Sequence, residues 1–368
     1  MIQNPFAPGA KRPEVTEGVF SPEEVALANR NSGALLETLG LEITPTGTHY
    51  LLNHFDVPVL TDADHVLRFE GAFDAPYALG MQEIRALPEV TRPVTLECAG
   101  NGRAGVSPRC FSMPWMFEAV GTSEWTGTPL APLLERAKPQ SGVQDFAFLG
   151  ADYGFDKGHA HYFGRSLTPD QIADLDVMLV WGMNGQPLLP QHGAPLRIIV
   201  PGWYGMASVK WLTTIEALTE RYQGFQQVQT YRLRKDKNDP GTPVTAIRVK
   251  SLMKPPGVPD WVTRQRWLQA GPVTLEGRAW SGVGVPITRV EVLLGDTWHD
   301  AELTGRRDTY AWTGWRINWE AVPGVYDLAC RATDANGNTQ PLEAPFDMAG
   351  FANNSVHRVR VHVAEASK

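Results

Sequence analysis

Cysteine is scarce in this chain of 368 residues, and its three cysteines, Cys98, Cys110 and Cys330, are scattered. Three scattered cysteines are too few for a disulfide framework, which uses several closely spaced pairs. No C-x-x-C pair is present for zinc, and no C-x-x-C-H motif is present for covalent haem. We therefore expect no disulfide-stabilised fold, no zinc ribbon and no haem in this chain.

Clustered positive charge and long apolar runs are also missing. The formal net charge is −7 and the basic residues are dispersed, so we expect no nucleic-acid partner. No apolar run reaches the ~18 residues that span a bilayer, so we expect no membrane partner. Residues 1–18 lack a basic start followed by an apolar core, as a signal peptide requires. The sequence as written predicts a cytoplasmic location, or a periplasmic one if a leader was removed.

Length and composition indicate a soluble protein of two or three domains, at ~150 residues per domain. Hydrophobic residues make up 43% and charged residues 20%, which allows a large buried core. In the first part of the chain, residues 22–40 predict one or two short helices with Ser21 as N-cap. Further helices are predicted at 80–86, 128–137 and 168–174, and strands at 48–60, 65–71, the segment ending at Cys98, 145–152, 177–185 and 196–202. The overall class is therefore α+β, with a mixed α/β first domain.

Beyond about residue 240 the pattern changes to short strands separated by turn residues, without a helix. The spacing is close to the 8–12 residues typical of an immunoglobulin-like β-sandwich. The polar stretch KDKNDPGTP, residues 235–243, contains proline and glycine and predicts the boundary. We therefore predict one domain at 1–238 and an all-β domain at 239–368. Its tryptophans are compatible with either a core or an interface: Trp280, Trp312, Trp315 and Trp319.

The stretch VTLECAGNGRAG, residues 94–105, contains G-x-G-x-x-G directly after a predicted strand. A dinucleotide fingerprint requires a helix that begins at these glycines, so that its N–H groups meet the pyrophosphate. Pro108 and Pro114 follow closely, and a helix interior does not tolerate two such prolines. The motif therefore does not favour a nicotinamide cofactor, and Cys98 beside it becomes the residue of interest.

Groups able to bind an anion recur at predicted loops and strand ends. They are Asn53, His54, Arg103, His192, Arg197 and Lys210. Taken alone, each is more often a surface cation or a hydrogen-bonded histidine, and an isolated cysteine is more often inert. As a set without a carboxylate cluster, they suit a large anionic ligand that carries phosphate and polar heterocycle edges.

Several segments resemble the sulfite oxidase family of molybdenum enzymes. LECAGNGR resembles its cysteine loop, NHFDVP its first pterin-contact segment, and MNGQPLLPQHGAPLRIIVPGWYGMASVKWL its most extended signature. The resemblance implies a molybdenum atom held by a molybdopterin dithiolene and by the thiolate of Cys98. It also implies that the C-terminal sandwich forms a homodimer. The positions that would hold the pterin and its phosphate are Asn53, His54, Arg103, Asp152, His192, Arg197, Ser208 and Lys210, of which Asp152 matches least well.

Tyr231 in QTYRLR falls at the family's active-site tyrosine, after a one-residue shift in the preceding loop. The resemblance implies that its hydroxyl hydrogen-bonds substrate and aids proton transfer. The alternative for this residue is an aromatic ring that packs at a strand edge.

Three positions depart from the family's pattern. Sulfite oxidases bind their dianion with arginines, and one of these positions is Leu52 here. Ala349 and Ala207 occupy two further basic positions, and Arg165 or Arg358 are the candidates for compensation. A charge-assisted hydrogen bond contributes about 1.5–3 kcal/mol. Losing two would weaken sulfite capture by ~100- to 10,000-fold, so we expect a less anionic or larger substrate.

The reaction that the resemblance implies is a two-electron oxygen-atom transfer at sulfur, on sulfite or a related substrate. Without a haem segment, electrons would pass to or from a separate cytochrome-like acceptor or donor. One alternative is the reverse reaction, a sulfoxide-type reductase on the same scaffold. The other is a non-catalytic cofactor-binding dimer, which the missing cations favour and the retained Cys98 disfavours.

Overall fold

The fold is described from a computed structural model, which covers residues 20–305 and 308–365. Residues 1–18, in which the sequence predicts no signal peptide, lie outside the described residues. So do the first residues of the predicted domain 1–238 and the last residues of the predicted domain 239–368. In the described part, no helix is long and apolar enough to cross a membrane.

Short helices are confined to the N-terminal part of the described chain. The α-helices are α1 (Pro22–Arg30), α2 (Met81–Arg85), α3 (Ala131–Ala137) and α4 (Pro169–Asp174). Ser21 caps α1 as predicted: its hydroxyl accepts from the Glu24 amide at 3.2 Å, and the Glu24 carboxylate accepts from the Ser21 amide at 3.0 Å. The helices predicted at 80–86, 128–137 and 168–174 are confirmed. The second half of the 22–40 region forms a 3₁₀ turn, Leu36–Gly40.

Two sheets make up the N-terminal part. Their strands are β1 (Val66–Gly71), β2 (Tyr77–Gly80), β3 (Val90–Glu97), β4 (Val120–Pro129), β5 (Asp145–Asp156), β6 (His159–Leu167), β7 (Met178–Met183), β8 (Gln186–Pro187), β9 (Arg197–Ile199) and β10 (Leu212–Leu218). One sheet has the order β2-β1-β10-β5-β6, with β1 and β10 parallel. The other has the order β3-β4-β7-β8, and β9 pairs with β7. Buried apolar residues of both sheets join one large cluster.

The strand predicted at 48–60 is wrong. Leu51 forms only an isolated bridge to Ser32, and residues 52–60 have no strand partner. The apolar residues that suggested a strand are mostly only partly buried, and Val59 is exposed. Leu52 and Phe55 face cavities and neighbouring side chains, so this segment is an extended lining of the site described below.

The C-terminal part is a sandwich of two sheets, as the turn-rich pattern predicted. A small pair, β11 (Arg232–Leu233) and β12 (Thr242–Pro243), precedes it, and the predicted boundary at 238/239 falls between these two strands. The sandwich strands are β13 (Lys250–Met253), β14 (Val258–Pro259), β15 (Arg266–Gln269), β16 (Gly271–Trp280), β17 (Ile287–Leu294), β18 (Thr297–Asp300), β19 (Glu302–Thr304), β20 (Thr313–Ala321), β21 (Gly324–Asp334) and β22 (His357–Ala364).

The sandwich sheets have the orders β13-β16-β20-β19 and β14-β15-β22-β21-β17-β18. Among the described residues beyond 240 there is no helix, as expected. The sequence left open whether four tryptophans belong to a core or to an interface. All four are buried within the chain, so they contribute to its core: Trp280, Trp312, Trp315 and Trp319. The first two belong to the N-terminal cluster and the last two to the sandwich cluster, so tryptophans help to join the parts.

A segment between β21 and β22 leaves the sandwich and packs on the N-terminal part. We call residues 347–353 the return loop. The Ala352 amide donates to the Ala99 carbonyl at 2.8 Å, and the Asn353 amide side chain donates to the Gly102 carbonyl at 2.8 Å. The sandwich thereby contributes backbone and side chains to the surroundings of Cys98.

Candidate active site

Cys98 is the first residue after β3, where the chain turns into a glycine-rich loop. Its amide donates to the Ala119 carbonyl at 2.9 Å, and its carbonyl accepts from the Asn101 amide at 2.9 Å. The only helical residues at these glycines are the 3₁₀ turn Arg103–Gly105. A dinucleotide fingerprint needs an α-helix there, and this loop has none, as Pro108 and Pro114 led us to expect.

The glycines of this loop make room for Arg103. A Cβ atom on Gly100 would lie 2.6–2.7 Å from the Arg103 guanidinium, and Gly102 has a left-handed φ of +96°. Arg103 is buried, and it donates to the Ala349 carbonyl at 2.6 Å and to the Met113 carbonyl at 3.0 Å. Burial raises the pKa of the Cys98 thiol, and the nearby positive charge of Arg103 opposes that rise. The loop therefore places one cation beside the thiol.

Two adjoining cavities meet at Cys98. The inner cavity is lined by His49, Tyr50, Leu51, Leu52, His54, Leu96, Cys98, Ala99, Asp152, Phe163, Gln191, His192, Arg197, Gly205, Met206, Ser208, Lys210 and Tyr231. The outer cavity is lined by Leu27, Leu52, Asn53, His54, Phe55, Cys98, Arg103, Phe111, Ser112, Met113, Trp115, Phe155, Asp156, Lys157, Thr230, Tyr231, Ala349 and Phe351. Every site residue predicted from the sequence lines at least one of them.

Lys210 joins the segment 51–53 to Gln191 in the wall of the inner cavity through three oxygen atoms. Its ammonium donates to the Leu52 carbonyl and the Gln191 carbonyl, both at 3.0 Å, and to the side-chain oxygen of Asn53. Burial lowers the pKa of Lys210, the charge of Arg197 lowers it further, and the Asp152 carboxylate opposes both. These contacts explain why residues 51–53 follow the cavity wall rather than a sheet.

Arg197 at the start of β9 fixes the floor of the inner cavity. Its guanidinium donates to the His192 carbonyl at 2.8 Å and to the Ser208 carbonyl at 3.1 Å, over the ring of Trp125. Burial lowers the pKa of Arg197 to about 10, so it is charged at neutral pH. The Ser208 hydroxyl accepts from the Val200 amide at 3.1 Å.

Three buried polar atoms of residues that line the inner cavity have no hydrogen-bond partner. They are Asp152 Oδ1, Arg197 Nε and His49 Nε2, and all three are shielded from solvent. Burial also raises the pKa of Asp152 to about 6. An unpaired buried polar group costs about 1–3 kcal/mol, so three around one cavity suit a polar ligand bound there.

Three histidines in the inner cavity are held neutral. Burial is the main cause in each case: it lowers the pKa of His192 to about 3, and that of His49 and of His54 to about 4. The rings of His49 and His192 meet edge to face at 5.8 Å. Neutral imidazoles can donate and accept hydrogen bonds without adding charge.

Tyr231 lies where the two cavities meet, directly after a π-helical turn, Gln226–Thr230. Its hydroxyl and His54 Nε2 are 2.6 Å apart, and its ring stacks on Phe351 of the return loop at 5.0 Å. Burial raises the pKa of the Tyr231 phenol, so it keeps its proton at neutral pH. Packing of the Tyr231 ring alone therefore does not account for the contact between its hydroxyl and His54.

The inner cavity fits the pterin group that the sequence implies. Among residues 20–305 and 308–365, no group of three or more His, Cys, Asp or Glu side chains could hold a metal ion by itself. A metal at Cys98 would therefore take its other ligands from a cofactor. The remaining wall offers cations, neutral imidazoles and unpaired polar atoms, which suit a phosphorylated heterocycle.

Sequence reasoning did not single out several residues of the inner cavity: His49, Tyr50, Phe163, Gln191 and Met206. His49 and Tyr50 lie shortly before the recognised Asn53-His54 segment, and Gln191 and Met206 lie within the most extended signature. Their proximity to those motifs was the signal available. The aromatic residues of the outer cavity, such as Phe111 and Phe351, had no such signal.

The outer cavity is mainly apolar where the family's sulfite oxidases carry cations. Leu52 and Ala349 both line it, whereas Ala207 is buried and lines neither cavity. Arg165 is buried with its guanidinium carbon 5.7 Å from the centre of the Tyr231 ring, and it donates to the Gln226 carbonyl at 3.0 Å. Arg358 is exposed on β22 and lines neither cavity.

The comparisons with known proteins agree with this arrangement. Residues 54–226 match the family described as the oxidoreductase molybdopterin binding domain, and residues 242–364 match the Mo-co oxidoreductase dimerisation domain. The structure of the sulfane dehydrogenase SoxCD from Paracoccus pantotrophus is similar, with a TM-score of 0.78 and 25% sequence identity. That similarity covers 97% of this chain and 91% of that chain.

Curated relatives include nitrate reductases [NADH] from plants. The one from Solanum lycopersicum is 30% identical over 356 residues, and nitrate reductase [NADH] 1 from Arabidopsis thaliana is 30% identical over 353 residues. These alignments cover 89% and 88% of this chain, but only 39% and 38% of the relatives, so the chain spans about two fifths of their length. The mixed α/β part, the sandwich and the two matching domains confirm the resemblance seen in the sequence. The chain belongs to the sulfite oxidase family of molybdenum-cofactor oxidoreductases.

Proposed function

We propose that this chain catalyses a two-electron oxygen-atom transfer at sulfur, on a substrate that is less anionic or larger than sulfite. The observation that carries the proposal is the outer cavity. Its walls include Leu52, Ala349 and Phe351, and two of these occupy positions where a sulfite oxidase has an arginine. Apolar walls favour burial of apolar substrate groups, at roughly 25 cal/mol per Å².

Residues that line the two cavities would hold the cofactor, one set at the metal and the other at the pterin and its phosphate. Cys98 would supply the thiolate ligand of the metal. The pterin and its phosphate would be held by Asn53, His54, Arg103, Asp152, His192, Arg197, Ser208 and Lys210. When bound, this group supplies a molybdenum centre that exchanges an oxygen atom and two electrons with the substrate.

The outer cavity offers little positive charge to a dianion. Arg103 already donates to two backbone carbonyls, so its capacity to bind a free dianion is reduced. Asp156 and Lys157 are neighbours at the outer cavity, and their opposite charges offset each other. Among the described residues of the lining, Arg103 is then the one uncompensated cation, which supports a neutral or weakly charged sulfur compound over sulfite, because a dianion loses its hydration without gaining two matching cations.

Tyr231 is placed to move or hold a proton in the reaction. Its phenol is protonated at neutral pH, and its hydroxyl contacts a histidine whose pKa is lowered to about 4. A neutral His54 that carries its proton on Nε2 can donate to the Tyr231 oxygen, which orients the phenol and leaves its own O–H free for a substrate at Cys98. In this role the tyrosine donates a hydrogen bond to a substrate oxygen.

The direction of transfer has two candidates. The similarity to a protein named sulfane dehydrogenase supports oxidation at sulfur. The curated relatives are named nitrate reductases, which supports a reductive alternative such as a sulfoxide-type reductase. In either direction, electrons pass to or from a separate cytochrome-like protein, and we propose a homodimer formed through the domain that matches residues 242–364.

The experiment that tests the proposal uses the chain loaded with molybdenum cofactor. Sulfite and neutral thioethers are assayed with an artificial electron acceptor, and sulfoxides are assayed with a reduced dye. We expect slow sulfite oxidation and faster turnover of a neutral sulfur compound. Sulfite turnover comparable to that of family members that carry both arginines contradicts the substrate proposal. No turnover of any of them, in a sample that contains molybdenum, favours the non-catalytic cofactor-binding alternative.

A further inference from the structure

Glu97 directly precedes Cys98 and carries a buried carboxylate, with 2% of its side chain exposed. Its Oε1 atom accepts from the Lys250 ammonium at 2.8 Å and from the Asn101 side-chain amide at 3.0 Å. Its Oε2 atom accepts from the Trp280 indole N–H at 2.9 Å. Lys250 begins β13 and Trp280 ends β16, so both belong to the sandwich. A buried ion pair therefore joins the sandwich to the residue next to the proposed metal ligand.

Lys250 connects three segments around the site. In addition to Glu97, its ammonium donates to the Asn101 carbonyl at 3.3 Å and to the Asn353 carbonyl at 2.8 Å. Asn101 lies in the loop that follows Cys98, and Asn353 ends the return loop. Only 1% of the Lys250 side chain is exposed, so water cannot replace these contacts. One cation thereby fixes the end of β3, the cysteine loop and the return loop.

The ion pair also sets the charge beside the thiol. A carboxylate one residue from Cys98 would add negative charge to the metal's surroundings, and the Lys250 ammonium cancels it at 2.8 Å. Buried charges are tolerated only when they are paired, and groups that orient a metal ligand also tune the metal. The Trp280 and Asn101 contacts are neutral, so they could hold Glu97 in place but could not cancel its charge.

We propose that Lys250 is a positioning residue of the metal site, which acts through Glu97 on the Cys98 loop and neutralises the carboxylate beside the thiolate. This inference rests on the proposed function, because it requires Cys98 to be the metal ligand. It assigns the sandwich a role in the chemistry of the site in addition to subunit assembly.

The test compares holoenzyme variants by the molybdenum that each chain retains during timed dialysis and by the midpoint potential of the metal. In Lys250→Met we expect loss of molybdenum about 10-fold faster, the lower end of the usual effect of groups that orient a metal ligand. We also expect a more negative midpoint potential, because an unpaired carboxylate stabilises the more oxidised metal. Lys254→Met is the matched control, since Lys254 pairs with Glu276 at the surface of the same domain. It should match the wild type.

Two further variants separate charge from simple loss of packing. Glu97→Gln keeps the acceptor for Trp280 or Asn101 but removes the negative charge, so we expect its potential to become more positive. Glu97→Gln/Lys250→Met removes both charges, and we expect its potential to return towards the wild-type value. A purely structural role predicts that all three variants lower the melting temperature and leave the potential unchanged, and that result overturns the inference.

Cys98→Ser distinguishes failure of this inference from failure of the proposed function. If Cys98→Ser retains molybdenum with the wild-type potential, Cys98 is not the ligand and both proposals are wrong. If Cys98→Ser loses molybdenum while Lys250→Met behaves as the wild type, only the role of Lys250 is wrong.

Discussion

The inner and outer cavities meet at Cys98 but are built from different kinds of residues. The inner cavity contains buried cations, neutral histidines and polar atoms without partners. The outer cavity is formed mainly by leucine, methionine and aromatic side chains, with Asp156 and Lys157 at its edge. The family signatures in the sequence fall mostly on the inner cavity, and the departures Leu52 and Ala349 line the outer one. We infer that recognition of the cofactor is retained here while recognition of the substrate differs.

The largest expected effect comes from Cys98, which lines both cavities. Cys98→Ser replaces the proposed thiolate ligand, so activity should fall more than ~100-fold. Substitution of a residue that only orients a metal ligand already lowers metal affinity or activity by about 10- to 100-fold. Turnover and molybdenum content of the purified variant measure this. Cys110→Ser is the control, because Cys110 is also buried but lines neither cavity. Equal loss in both variants would mean that the effect is general instability.

A second test removes the proton donor at the junction of the cavities. Tyr231→Phe deletes the hydroxyl that contacts His54, and turnover should fall by about 100-fold, the lower end of general acid–base contributions. The KM for substrate should change less than kcat, because the ring and its stacking on Phe351 are retained. Tyr153→Phe, at an exposed tyrosine, is the control. Wild-type kcat in Tyr231→Phe would leave Tyr231 with a packing role only.

A third test converts the outer cavity towards the sulfite oxidase pattern. Ala349→Arg places a guanidinium in a mainly apolar wall, and one charge-assisted hydrogen bond of about 1.5–3 kcal/mol should lower the KM for sulfite by ~10- to 100-fold. Ala349→Gln is the control, since it adds bulk and polarity without charge. If both variants lower the KM equally, positive charge is not what the outer cavity lacks.

A fourth test uses the pH dependence of stability to probe the buried histidines of the inner cavity. In the folded chain the pKa of His192 is about 3 and that of His49 about 4, whereas unfolded histidine titrates near 6.5. Between pH ~6.5 and ~4 the unfolded chain therefore binds more protons, and the free energy of unfolding decreases as pH falls. The slope is up to about 1.4 kcal/mol per pH unit for each histidine.

Urea unfolding of the cofactor-free chain at pH 7, 6 and 5 measures that slope. His49→Phe should make it shallower, because one histidine no longer has to stay neutral. His159→Gln, at an exposed histidine, should leave the slope as it is. An unchanged slope in His49→Phe would show that His49 titrates normally in the folded chain.

The smallest expected effect concerns compensation for the missing arginines. Arg358 is exposed on β22 and lines neither cavity, so Arg358→Gln should change sulfite turnover by less than ~2-fold, the range of most surface substitutions. Steady-state kinetics with sulfite provide the measurement. A larger loss would indicate that Arg358 reaches the substrate in an assembly of two chains.

The sequence predicted many of the residues that line the two cavities because they lie in segments that resemble motifs of the family. Asn53, His192 and Lys210 come from three separated segments, and the structure brings all three to the cavities at Cys98. Burial and hydrogen bonding then decide details that composition does not contain. The strand predicted at 48–60 was wrong because Lys210 binds Leu52 and Asn53 from the side, which replaces a neighbouring strand.

The walls of the outer cavity were not predictable in the same way. Phe111 follows the cysteine loop in an irregular segment, and Phe351 arrives from the return loop, 253 residues after Cys98 in the numbering. Neither residue lies in a motif, and the sequence does not predict where an aromatic side chain in a loop will pack. The Phe351 ring reaches the site only through the packing of the sandwich on the N-terminal part, and Phe111 reaches it through the fold of an irregular segment.

The return loop has a consequence for how this protein can change over time. The proposed cofactor ligands lie at or before Lys210, whereas Ala349 and Phe351 belong to the long connection between two sandwich strands, residues 335–356. Connections of this kind accept substitutions and length changes more readily than the strands that they join. Substrate range can therefore drift through a handful of positions in the loop while the machinery for holding the metal stays under separate selection.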